Sequence, residues 1–172
     1  MNQKMNQSTG LLTKTKSEYL KFLTKFRSLQ LSTIRKSGRP ESSFAPFVVD
    51  QKNHYYIFIS LLASHTKNLL NDGRVGIMFI EAEEKAENIF SRKRVTFDCD
   101  AEFVGCDSEE WKKIIPLFDE IGGELMQTLR LLSDFRLVRL IPISGLFVKG
   151  FGKAYKISGE NMEKLSHKNV QN

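Results

Sequence analysis

The sequence is short of the features that mark redox, metal and membrane proteins. It has two cysteines, Cys99 and Cys106, too far apart for the Cys-x-x-Cys pair of a redox motif or a zinc half-site. In a reducing compartment they stay as thiols, and Cys99 falls on the apolar side of an alternating segment and reads as core. No apolar run approaches the roughly 20 residues of a membrane-spanning helix. The stretch Met1–Thr15 is polar and has no apolar segment of the secretory kind. The expectation is a cytoplasmic protein with no membrane partner. There is also no Gly-x-Ser-x-Gly elbow, no His-Glu-x-x-His, no Walker loop and no metal-ligand cluster, so the commonest hydrolase and nucleotide signatures are excluded. Gly150-Phe151-Gly152 with Ala154 resembles a dinucleotide fingerprint only on the surface, because no helix pattern follows it.

What is present is ordinary for a globular chain. The 172 residues, 41% hydrophobic and 27% charged, are enough to bury about 70% of the surface exposed when unfolded. They predict one domain at 14–160, with a flexible tail at 1–13 and a C-terminal tail at 161–172. Twenty-six basic against 20 acidic residues give a net charge of +6, which favours an anionic partner.

Hydrophobic periodicity predicts a mainly β fold with peripheral helices. A helix is expected at 15–27, where Tyr19, Leu23 and Phe26 share a face. Strands are expected at 28–34, 42–49, 55–59 and 75–80, with a short helix at 64–70 capped by Ser60 or Ser64. The clearest pattern is 92–104, where Val95, Phe97, Cys99, Ala101 and Phe103 alternate with polar residues, one face buried and one wet. Asp107 and Glu110 have the spacing of a capping box. Pro116 is expected to bend or end the helix that follows, and Gly122-Gly123 to separate it from a second helix. A strand at 135–141, a turn over Pro142–Gly145 and a last long strand at 146–157 complete the expectation. Many antiparallel strands without βαβ alternation suggest a closed barrel.

Three groups of residues could carry chemistry. Ser60, His65, Thr66 and Lys67 gather hydroxyls, an imidazole and an ammonium at the start of a short helix, where a phosphate or carboxylate would fit. The plainer reading is a capped helix with solvated His65 and Lys67. Arg92 and Arg94 lie on the wet face of one strand and could grip an anion together, or pair with the acids of 81–87. Asp134 is either a turn residue or an acceptor for an imidazole N–H that tunes a ligand. His54 reads as a turn residue and His167 as a solvated tail residue. Phe147, Lys149, Phe151, Lys153 and Tyr155 would share a face if 146–157 were one strand, a basic-aromatic stripe able to stack single-stranded nucleic acid. Aromatics covering core, with the lysines reaching to water, is the plainer reading there. Nucleic acid therefore ranks last among the partners.

The motifs together resemble a known family. Gly38-Arg39-Pro40, Ser43-Phe44-Ala45-Pro46-Phe47, the run from Ser64 to Leu69, the run from Phe90 to Asp98 and the run from Gly145 to Tyr155 are similar to the HugZ/HutZ haem-utilisation proteins. The similarity runs from about Phe22 to Glu160. The earlier motifs are shared with the wider FMN-binding, pyridoxamine 5′-phosphate oxidase-like group. The resemblance implies a split β-barrel homodimer with cofactor sites at the subunit interface. It implies haem binding and a haem oxygenase-like opening of the porphyrin, driven by oxygen and an electron donor. It also implies that Asp134 hydrogen-bonds the ligating histidine across the interface and that Arg94 lies near the haem's distal side or propionates. In the flavin relatives the stretch around Ser60, Thr66 and Lys67 meets the FMN phosphate, so FMN is the alternative cofactor. A gap-free comparison puts Asn172 where the family has its iron-ligating histidine. His167, five residues earlier, is the expected metal ligand in this chain, since an imidazole serves iron and a carboxamide does not. Three readings follow: a haem-degrading enzyme, an FMN-dependent oxidoreductase, or a carrier of haem or flavin without turnover.

Overall fold

In a computed structural model that describes residues 2–168, the alternating segments are strands. They are β1 (Ser28–Ile34), β2 (Pro40–Val49), β3 (Tyr55–Ser60), β4 (Arg74–Ile80), β5 (Arg94–Val104), β6 (Phe135–Val148), β7 (Ala154–Ser158) and β8 (Lys164–His167). The helices are α1 (Asn2–Leu23), α2 (Ser64–Asn71), α3 (Glu109–Gly122) and α4 (Glu124–Leu131). The described strands form one sheet in the order β3-β2-β1-β4-β5-β6-β7-β8, and β3 also pairs with β6. That last pairing, from Tyr55 opposite Leu140 to Ser60 opposite Phe135, closes six strands into a barrel and removes their free edges. The architecture is the mainly β barrel with four helices that the periodicity predicts.

The described residues group into two compact units. The first holds Arg27–Ile77 and Asp98–Ile143. Its core places Tyr56, Phe58 and Leu137 of the strands against Ile114, Ile115 and Phe118 of α3 and Met126 of α4. The α3 cap sits one residue later than expected. Ser108 accepts from the Trp111 N–H at 3.1 Å, while Asp107 precedes it in the left-handed region at φ 62°. Pro116 lies inside α3 without ending it. It is on the exposed side of the helix, where water can satisfy the carbonyl that its missing N–H leaves open. Gly123, at φ 52°, makes the break before α4. The expected hydroxyl cap on α2 is absent. The cap position is Ala63, because Ser60 spends its hydroxyl elsewhere.

The second unit holds the described residues up to Phe26, Met78–Phe97 and those from Ser144 onward. Here α1 lays Tyr19 and Phe22 on Phe147, with ring centroids 5.8 and 6.2 Å apart. The helix begins at Asn2 and ends at Leu23, so helical backbone covers residues expected as a tail. β6 does not turn at Pro142–Gly145 but runs on to Val148. Gly145 serves packing there, since a Cβ on it would stand 2.6 Å from the Phe97 ring. The expected long strand 146–157 is a hairpin instead. Val148 pairs with Ala154, and Gly150 and Gly152, at φ 153° and 66°, reverse the chain between them. The basic-aromatic stripe therefore does not exist as one face. Phe147 and Tyr155 are buried opposite each other, Phe151 is exposed at the tip, and Lys149 is paired with Glu18. After β7, the expected short helix or tail from Gly159 is β8, paired antiparallel with β7.

Candidate functional site

The expected site residues fall into two groups, one in each unit. In the first, the end of β3 is tied to the junction before β6. The Leu61 N–H donates to the Asp134 carbonyl at 2.8 Å, and the Ser60 hydroxyl donates to Asp134 Oδ2. Ser60 Oγ also accepts from the Leu62 N–H at 3.0 Å. The carboxylate of Asp134 is thus held at one oxygen by a hydroxyl that is itself fixed. Thr66 is fully buried and donates its hydroxyl to the Ser60 carbonyl at 2.6 Å, so its proton is already used within the chain. Lys67 is exposed.

Sequence reasoning missed Asn68, which is buried one residue further along α2. Its amide donates to Thr33 Oγ1 at 2.9 Å and Glu41 Oε2 at 3.3 Å. The signal available was position alone, a polar residue beside Thr66 and Leu69 on the buried side of the helix. The Arg35 guanidinium, with the Asn68 amide, holds the Glu41 carboxyl below its ordinary range. Burial pushes the His65 imidazole down, and the Glu41 charge only partly opposes it.

This has a consequence for stability. A depressed folded value means the native state binds the imidazole proton less tightly than the unfolded chain does. The contribution is complete above the ordinary imidazole value of 6.5 and falls as pH drops below it. Urea midpoints should therefore decline between about pH 7 and about pH 5.5. His65→Gln should flatten that decline, and equal slopes in the two proteins would remove His65 as its source.

In the second unit the two arginines part company. Arg92 is taken up by the acidic segment, donating to Glu83 Oε1 at 2.9 Å and twice to the Glu81 carbonyl. This is the pairing with the acids of 81–87 that the plainer reading of Arg92 expects. Arg94 donates Nη1 to the Arg92 carbonyl at 3.2 Å, and no carboxylate pairs with it among the described residues. It lines a cleft of about 890 Å³ together with His167, so the structure does bring these two expected residues together. His167 is not in a loose tail. It stands in β8 opposite Tyr155, ring against ring at 5.2 Å and 79°. Asn172, the position matching the family's ligand, lies outside the described residues.

The cleft gathers further residues that the sequence did not place with Arg94 or His167. Lys153, Lys156 and Lys168 line it, with apolar wall from Leu146 and Val148. Phe90 and Phe151, 84% and 69% exposed, stand at its rim. Among the described residues no aspartate or glutamate lines it. The lysines were legible only with the hairpin, because a single straight strand would scatter them along its length. His54 is the turn residue expected, its Nδ1 lying 3.1 Å from Asp50 Oδ2.

The profile of the pyridoxamine 5′-phosphate oxidase family matches residues 15–149. The heme oxygenase HutZ of Vibrio cholerae is 42% identical over 97% of this chain and 94% of its own. The crystal structure of HutZ from Vibrio cholerae, described as a heme storage protein, superposes with a TM-score of 0.72 and 44% identity, over 77% of this chain and 93% of that one. The crystal structure of ChuZ from Campylobacter jejuni gives a TM-score of 0.79 at 36% identity, over 90% of this chain and 62% of that one. Profile, sequence and fold agree, and the chain belongs to the HutZ/HugZ haem-utilisation family within the pyridoxamine 5′-phosphate oxidase-like group.

Proposed function

We propose that this chain binds haem in the Arg94–His167 cleft and serves haem utilisation by opening the porphyrin ring. The carrying observation is the composition of the cleft. Four cations that no acid pairs with among the described residues, Arg94, Lys153, Lys156 and Lys168, surround a wall of apolar side chains and the His167 imidazole. Haem is flat and largely apolar with two carboxylates, so these residues fit it in shape, polarity and charge. Bound haem supplies the iron and its oxygen chemistry. The chain's own groups supply placement: the cations hold the propionates, the Phe90 and Phe151 rings flank the apolar face, and the His167 ring nitrogen is the donor offered to iron. Asp134, steadied by Ser60, is the acceptor for the second nitrogen of a ligating imidazole contributed by a partner subunit, which fixes that ring's orientation and basicity. This reading makes the working form a cytoplasmic homodimer served by a separate electron donor.

The test is a haemin titration followed in the visible spectrum. A sharp, saturating Soret band is expected, and His167→Ala should abolish it; an unchanged band would take His167 out of the site. HutZ is described both as a heme oxygenase and as a heme storage protein. Bleaching of the bound spectrum with ascorbate and oxygen separates turnover from storage. Family membership keeps FMN as a second reading, with exposed Lys67 at its phosphate. Against it stands the Thr66 hydroxyl, already donated to Ser60.

A further inference from the structure

A second cleft, of about 490 Å³, lies wholly within the unit built from 27–77 and 98–143, and none of the expected site residues lines it. Its floor is aromatic. Phe58, only 9% exposed, meets Trp111 edge-on at 5.7 Å and Phe135 at 5.1 Å. Its lip carries Leu131 and Leu132, 86% and 44% exposed.

Two arginines line it. Arg130 is taken, donating to Asp119 at 2.5 Å and to the Ile115 carbonyl at 3.0 Å. Arg136 differs. Its Nη1 donates to the Ser133 and Phe135 carbonyls, both at 2.8 Å. The bonds it makes to the described residues use Nη1 alone, and no carboxylate pairs with it among them. Asp107 is the one acid on the lining, against Lys112 and the two arginines.

We propose that this cleft binds a flat, fused-ring aromatic anion. The rings would lie against Trp111 and Phe135, and Arg136 would take the carboxylate or sulfonate. An aromatic floor gains most from burying another π face. An open guanidinium fork matches a planar anion in geometry as well as charge. The volume lies within the range of about 300–1,000 Å³ typical of small-molecule sites. Asp134 stands in the chain between the lining residues Ser133 and Phe135, so an occupant here would neighbour the carboxylate assigned above to orienting an imidazole. The proposal itself needs no haem.

The probe is anilinonaphthalene sulfonate, titrated against the purified chain. Trp111 is the only tryptophan, so energy transfer from it reports probe bound to this protein. Saturable binding that depends on Arg136 is expected. Arg136→Gln should weaken it at least tenfold, and so should Leu131→Asp, which sets an acid on an exposed lip. Lys153→Glu, in the other cleft, should leave the affinity unchanged. Haemin should bind Arg136→Gln as it binds the parent, which keeps the two sites experimentally separate. Probe emission that never saturates, or equal affinity in Arg136→Gln and the parent, overturns the proposal.

Discussion

Changing Lys153, Lys156 and Lys168 together to glutamate should weaken haemin binding by at least about 100-fold, ~2.7 kcal/mol. The uncharged dimethyl ester of the same porphyrin should bind the variant and the parent alike. The three side chains are exposed and line a cleft on which no acid stands among the described residues, so they gain from an anion. A cation and a carboxylate about 4 Å apart attract by roughly 1 kcal/mol in water and by more as the site dries. Reversal turns each attraction into a repulsion, so ~1 kcal/mol per lysine is a conservative figure after screening. Among the described residues none of the three has a carboxylate partner to lose, so the fold should survive the change. The ester isolates the charge term. Equal losses for haemin and ester would point to damaged packing, and no loss for either would move haem out of this cleft. Parent affinity should also fall with added salt, and the variant's should not.

Much of the barrel could be read from the sequence because its signal is local. In β5 the alternation of Val95, Phe97 and Cys99 becomes alternate burial, and burial pushes the Cys99 thiol far up, as a core position requires. The pattern fades at Ala101 and Phe103, which are only half-buried. What failed were places where one residue type serves two ends. Glycine marks both turns and close packing, so Gly145 was expected to turn and instead packs, while Gly150 and Gly152 were expected in a strand and instead turn. Proline is expected to bend or end α3, and the helix does not end at Pro116, which sits on a wet face where the lost hydrogen bond is cheap. The site was less legible still. Ser60 and Asp134 meet only because β3 closes on β6, a pairing between segments far apart in the chain, and no spacing rule anticipates it. Arg92 and Arg94 are of one type and are expected on one strand face, but β5 begins at Arg94, and Glu83 and the Glu81 carbonyl take Arg92 and leave Arg94. Composition proposes cations; only the fold says which of them are already used.

Gly145→Val should destabilise the protein by at least about 3 kcal/mol, the upper end of the cost of overpacking a core. A Cβ on Gly145 would stand 2.6 Å and 2.8 Å from two carbons of the Phe97 ring and 3.0 Å from the Thr96 carbonyl oxygen. Phe97 is 1% exposed, so its ring has no solvent to retreat into, and the carbonyl belongs to a paired strand. Relief must come from β5 moving against the end of β6. The wall that moves is that of the proposed haem cleft, because Leu146 and Val148 follow Gly145 and Arg94 precedes Phe97 on the lining. Phe97→Ala alone should cost ~3–5 kcal/mol by leaving a cavity. The double change places a valine beside that cavity, so its cost should fall short of the sum of the single changes by more than ~1 kcal/mol. Denaturant unfolding of the four proteins measures the difference. Strict additivity would mean that the glycine is kept for some reason other than the ring. If the packing argument is right, the double variant should also recover part of the haemin affinity that Gly145→Val loses, because the same filled space that restores the core returns the cleft wall towards its place.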